Sequence, residues 1–271
     1  MKTLGNYTIL YDAECPMCSM YTRTIVQTGL LDQQGRAAYQ DLTPETCPMV
    51  DRQRAVNEIA LVNQETGEVT YGIHSLFKLF GTAMPVFKPL FAFAPFVWLM
   101  SKAYAFISYN RRVIIPASGG SFGLQPTFRL RYRVAYLIFT WIITSVILTG
   151  YAHLLQGIMP VGSSYREFLI CGGQVFFQGA IISLVAKDKR WDYLGNMMTI
   201  SFAGALLLLP VLLLGGLIGT YPLFYAAYFM MVAGLMFLEH IRRSKLLNIG
   251  WALTISWALY RALILVIILY I

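Results

Sequence analysis

Thr8-Ile9-Leu10-Tyr11-Asp12-Ala13-Glu14-Cys15-Pro16-Met17-Cys18 sets two thiols three positions apart directly behind a short apolar run. The run Thr8 to Tyr11 suits a buried strand. Pro16 suits the first turn of a helix, where a missing N–H costs nothing. Met20, Tyr21, Thr24, Ile25 and Leu30 supply apolar or bulky positions at helical spacing, and the helix is expected to close at Gly29. Two thiols at a helix start can trade a disulfide with another thiol pair, so this stretch bears on chemistry as well as on fold.

Working outward, further strands are predicted at Ala37 to Leu42, Glu58 to Val62 and Glu68 to Tyr71. The last two flank Gln64-Glu65-Thr66-Gly67, which reads as a hairpin turn. Gln53 to Asn57 supplies a stub of helix ahead of the third strand, and a short helix follows from His74 to Phe80. This order approaches an α/β thioredoxin-like core. Pro89 to Ser101 is uncharged but too short to span a bilayer and holds two prolines, so it is read as a buried or interfacial helix. Counted as a span, it would make six and turn the thiol pair to the other side.

Beyond residue 133 the composition changes. Of 271 residues 57% are hydrophobic, too many for an ordinary soluble domain. Five apolar stretches, Val134 to Gln156, Phe168 to Ala186, Leu194 to Gly219, Thr220 to Leu238 and Asn248 to Ile271, each approach the roughly 20 residues needed to cross a hydrocarbon core. The fold class is therefore a thioredoxin-like α/β domain plus an all-α polytopic membrane bundle of about five helices. The expected domains are residues 1–115, a basic linker over 116–133, and a membrane domain over 134–271.

Charge supports the division. Residues 1–128 carry ten Lys/Arg against nine Asp/Glu, whereas 129–271 carry eleven against four, so the net +8 belongs to the membrane half. A near-neutral soluble part argues against a nucleic-acid face. Arg129, Arg131, Arg133, Lys187, Lys189, Arg190, Arg242, Arg243 and Lys245 fall on one side of the predicted spans, and only Arg166 on the other. The excess marks the cytoplasmic side. Met1-Lys2-Thr3-Leu4-Gly5-Asn6 shows no leader-like apolar run. Both cues predict an integral protein of a bacterial cytoplasmic membrane, its N-terminal domain cytoplasmic and its C-terminus on the far side. Reducing surroundings then favour catalysis or metal binding over a structural disulfide.

The block Tyr11-Asp12-x-x-Cys15-Pro16-x-Cys18, the segment ending Tyr71-Gly72-Ile73-His74-Ser75-Leu76, and Ser108-Tyr109-Asn110-Arg111-Arg112 together resemble the DCC family over roughly residues 5–115. That family is described as a thiol-disulfide oxidoreductase with a thioredoxin-like fold. The resemblance implies a redox dithiol at Cys15 and Cys18, with Asp12 as its signature partner. No cofactor and no resident metal are expected. The partners expected are the lipid bilayer and a thiol or disulfide, on a protein or a small molecule; oligomeric state is not legible.

Unpaired N–H groups and the positive dipole end at a helix start favour a thiolate at Cys15. Cys15 is thus the expected attacking thiol, ionised and reachable, and Cys18 the resolving one. Asp12 is a candidate to carry the Cys18 proton, although Asp12 and Glu14, as fixed charges, would raise both thiol pKa values. Thioredoxin-like enzymes place a cis-proline before the third strand, and Arg52 to Asn57 holds none. Two rivals stand. One is a Cys₃His zinc set of Cys15, Cys18, Cys47 and His74 in a membrane adaptor. The other is a transport or lipophilic-substrate protein in which Arg261, deep in the last span, does the main task and the thiols sense redox state. Arg261 is otherwise expected to pair with a carbonyl, Gln174 or Gln178. Gly172, Gly173, Gly179 and the pair Gly215-Gly216 are expected to admit close helix contacts.

Overall fold

The computed structural model describes residues 3–42, 48–117, 122–219 and 221–270. The chain divides into two compact units, Met1–Tyr132 and Arg133–Ile271. The first is built on a four-stranded sheet in the order β2-β1-β3-β4. Strand β1 (Tyr7–Tyr11) pairs in parallel with β2 (Arg36–Ala38) and antiparallel with β3 (Ala60–Asn63). Strand β4 (Val69–Tyr71) closes a hairpin on β3.

Strand β1 is central and covered on both faces, which explains why its sequence runs apolar without alternation. Ile9 and Leu61 have no exposure and anchor a core with Ile25, Leu31 and Leu79. Burying each such side chain contributes about 1.5–3 kcal/mol. Helix α1 (Pro16–Gln27) follows β1, and α2 (Arg52–Asn57) precedes β3. Asp51 caps α2, its carboxylate accepting from the Arg54 N–H at 3.0 Å. Gly72, at φ 62°, starts α3 (Ile73–Ala83) in a backbone conformation that other residues resist. This is a thioredoxin-like α/β domain.

The uncharged stretch after α3 forms two helices meeting at a sharp bend, α4 (Lys88–Ala92) and α5 (Ala94–Ile114). Phe93, Trp98 and Leu99 are exposed within this unit, which sets aside the buried alternative and leaves the interfacial one. The bent pair is apolar enough to count as a broken sixth span by composition. Helix α5 also runs well past the expected end at Ser101. Tyr104 accepts the Ile59 N–H at 2.9 Å, tying α5 to the lead-in of β3.

The second unit consists of α6 (Leu130–Leu154, begun at the end of the first unit), α7 (Arg166–Val185), α8 (Arg190–Ile218), α9 (Pro222–Leu246) and α10 (Ala252–Tyr270). These five are long and apolar enough to cross a membrane. Polar groups inside the bundle bond between helices. Tyr193 donates to Gln178 at 2.7 Å and meets His240 Nε2 at 3.1 Å, while His240 Nδ1 lies 3.1 Å from Thr254. Arg261 does not pair with either glutamine. Its guanidinium lies 4.2 Å from the Trp257 ring centroid and donates to Ser201 at 3.4 Å, while Gln178 bonds Tyr193 and Ser256. At Gly173 an added Cβ would stand 2.6 Å from the Tyr260 hydroxyl, so a close contact is built there. In the pair Gly215-Gly216, a Cβ at Gly215 would stand 3.1 Å from Leu154, while at Gly216 nothing among the described residues lies within 4 Å.

Candidate functional site

Cys15 is the N-cap of α1, in extended backbone, and its Sγ accepts the Cys18 N–H at 3.4 Å. Its own N–H donates to the Asp12 carbonyl at 3.1 Å, folding the chain from strand to helix within three residues. Pro16 occupies the first turn, as the sequence predicts. Cys15 and Cys18 are free thiols.

Asp12 lies beneath the turn with 2% exposure, and both of its oxygens are engaged. One accepts from Gln40 at 2.8 Å and from the Glu14 N–H at 3.1 Å. The other accepts from Arg111 Nη2 and from Arg112 Nη2, each at 3.0 Å. Both arginines come from the last turn of α5, about a hundred residues along the chain. Arg111 also donates to the carbonyls of Val56 at 2.6 Å and Asn57 at 3.1 Å, and Ser108 donates to the same Asn57 carbonyl. The chain ahead of β3, where the sequence lacks a proline, is therefore held by α5.

Charge balance decides the state of the thiols. Hydrogen bonding from Cys18 holds the Cys15 thiol well below its usual range; burial opposes this, and the Arg111 charge and the Cys18 N–H assist it. The same sulfur–sulfur hydrogen bond, with burial, pushes Cys18 well above that range. Burial pushes Asp12 up, but Arg111 and Arg112 outweigh it and hold the carboxyl below its ordinary value. The negative charge of Asp12 raises both thiols, as expected, but hydrogen bonding from Cys18 and the Arg111 charge outweigh it at Cys15. Two guanidiniums face these two carboxylates, with Arg112 3.5 Å from Glu14, so the acids do not act on the thiols as bare charges.

Access is the second correction. Cys15 has no exposed surface, and Cys18 retains 4%. Phe122 N–H and Gln125 Nε2 both donate to Glu14, and Gln125 also accepts from Arg112, so the segment after α5 is tied down beside the thiol turn. Cys18 instead lines a cavity of about 720 Å³ between α1, α3 and α5. Met20 and Thr24, two of the positions that carry the helical spacing, are exposed and border this cavity; Cys18, Thr22, Ile25 and Val26 are the buried face of α1.

Sequence reasoning quoted Arg111 and Arg112 as part of a motif but gave them no task. The signal was two adjacent arginines closing a long apolar segment. Gln40 and Gln125 carried no signal at all. Of the zinc alternative's residues, His74 is exposed and edge-on to Phe77 and Cys47 lies outside the described residues; among the described residues no group of three potential ligands occurs.

Residues 9–115 match the model of a family described as DCC1-like thiol-disulfide oxidoreductase. No curated protein and no solved structure matches the chain.

Proposed function

From the match of residues 9–115 to a thiol-disulfide oxidoreductase family, we propose that this chain is a membrane-anchored dithiol enzyme exchanging electrons through Cys15 and Cys18. Cys15 is the thiolate and Cys18 the protonated partner. When a disulfide reaches the pair, Cys15 attacks one sulfur, the other leaves as a thiolate and takes a proton, and Cys18 then displaces the bound half to leave a Cys15–Cys18 disulfide. Asp12 positions Arg111 and Arg112. Saturated with donors and held at low pKa, it is a poor carrier for the Cys18 proton.

The observation that carries this reading is the Cys15 sulfur at the helix N-cap, hydrogen-bonded by Cys18 and facing the Arg111 charge. The five apolar helices support anchorage in a bilayer, and the basic loops favour a cytoplasmic face for the dithiol. With glutathione disulfide as substrate, Cys18→Ser accumulates a mixed disulfide on Cys15, while Cys15→Ser traps nothing and turns nothing over. Variants that both behave like the parent protein rule the reading out.

A further inference from the structure

The cavity beside Cys18 has the size of a small-molecule pocket, about 720 Å³ against the roughly 300–1,000 Å³ usual for such sites. One wall is the face of α1 carrying Met17, Met20 and Tyr21, which the helical period marks as apolar and which the core leaves partly uncovered. Leu76, Phe80 and Tyr104 line it from α3 and α5. Asp12, Cys18 and Arg111 bring the thiol site to its border, alongside Thr24, Thr28 and Glu58, and one of these groups is incomplete. Arg111 lines the cavity, and its buried Nε–H has no hydrogen-bond partner, although both terminal nitrogens are fully used. An occupant that suits this lining is apolar, has a flat portion for the aromatic walls, and brings an oxygen acceptor for Arg111. It meets Cys18, the thiol that lines the cavity.

We propose that the cavity binds a lipophilic quinone, which the dithiol reduces at Cys18. The proposal rests on the dithiol reading above and names its electron acceptor. The Cys15 thiolate acts as general base, taking the Cys18 proton along their hydrogen bond as the Cys18 sulfur adds to a ring carbon. The proton then moves from Cys15 to the carbonyl oxygen. Cys15, again a thiolate, attacks the Cys18 sulfur; the S–S bond forms, the S–C bond breaks, and the electron pair stays on the ring, which takes one proton from water. The dithiol loses two electrons and the quinone becomes the quinol. Arg111 receives the carbonyl oxygen throughout. A chain that also carries five bilayer-compatible helices has such molecules as neighbours.

The test uses the full chain in detergent, reduced and freed of reductant, with a decyl-tailed dimethoxy-methyl-benzoquinone as probe. Quinone absorbance and titratable thiols are followed together, and glutathione disulfide serves as a second acceptor. The expected result is loss of the Cys15–Cys18 thiols in step with quinone. Thr24→Trp or Met20→Trp, each placing an indole at the cavity border, should slow quinone reduction by about tenfold or more. Because micelles concentrate the probe equally for every variant, the ratio reads the cavity alone. On the wild type, a redox-inert decyl-tailed dimethoxybenzene should compete, which keeps the test decisive if either variant fails to fold. Quinone reduction that ignores both the indoles and the competitor overturns the proposal. So does a dithiol that reduces glutathione disulfide but not the quinone. A dithiol that reduces neither overturns the underlying oxidoreductase reading and this proposal with it.

Discussion

Arg111 is the residue on which the site turns. It joins Asp12, the chain ahead of β3 and the field at Cys15 in one buried guanidinium. Losing Arg111 leaves Asp12 with Arg112 alone and the Val56 carbonyl without that donor, at up to about 3–5 kcal/mol. Arg111→Met should therefore lower thermal stability by that order and return the Cys15 pKa toward the free-thiol value near 8.5. Arg111→Lys should recover part of the charge effect, but not the contacts to Val56 and Asn57. Asp12→Asn acts in the opposite sense on Cys15, since it removes a negative charge that opposes ionisation, and should lower the thiol pKa further. The folded pKa of Asp12 is depressed, so its charge contributes stability in full above the unfolded value near 3.9 and loses that contribution as pH falls through the folded value. The stability gap between wild type and Asp12→Asn, followed by thermal unfolding, should shrink over that acid window; a gap independent of pH would contradict the assignment.

At the scale of elements, what could be read in the sequence depended on how local the signal was. Strand β1, the Cys15 turn and α1 were legible because strand pattern, proline and thiol spacing all lie within a dozen residues. Strand β2 was expected to reach Leu42 but ends at Ala38, where the chain turns into a 3₁₀ helix over Tyr39–Asp41. Its pairing register with β1 sets that end, and no local pattern records it. Helix α1 shows the limit most clearly. Its period was correct, yet Met20 and Thr24 border a cavity, because helical spacing identifies a face without saying what meets it. The reach of α5 back to β3 was likewise invisible. Tyr104→Phe tests that link: it leaves the Ile59 N–H without its acceptor and should cost about 1–3 kcal/mol in thermal or denaturant unfolding. An unchanged stability would mean that this bond does not hold α5 in place.

At the scale of the whole molecule, the division between a near-neutral α/β unit and a basic apolar unit was plain from composition, because apolar length and charge distribution need no tertiary information. The partners of the buried polar groups were not, since pairing across a bundle depends on helix rotation. Arg261 illustrates this, meeting Trp257 and Ser201 where glutamine or a carbonyl was expected. Anchorage predicts that the chain stays with the membrane fraction through alkaline carbonate extraction; release into the supernatant would refute it. Orientation predicts that a cysteine placed at Lys187 is labelled from the same side as the N-terminal unit by an impermeant maleimide. Labelling from opposite sides would reverse the proposed topology.

The central claim is that Cys15 is a thiolate at neutral pH, held so by Cys18 and Arg111. It is tested most directly by titrating the ultraviolet thiolate absorbance of the reduced, full-length protein and of Cys15→Ser. The site described here predicts one thiolate appearing with a midpoint well below the free-cysteine value near 8.5, and its loss in Cys15→Ser. A wild-type midpoint at or above that value, or a low midpoint that survives in Cys15→Ser, would contradict it.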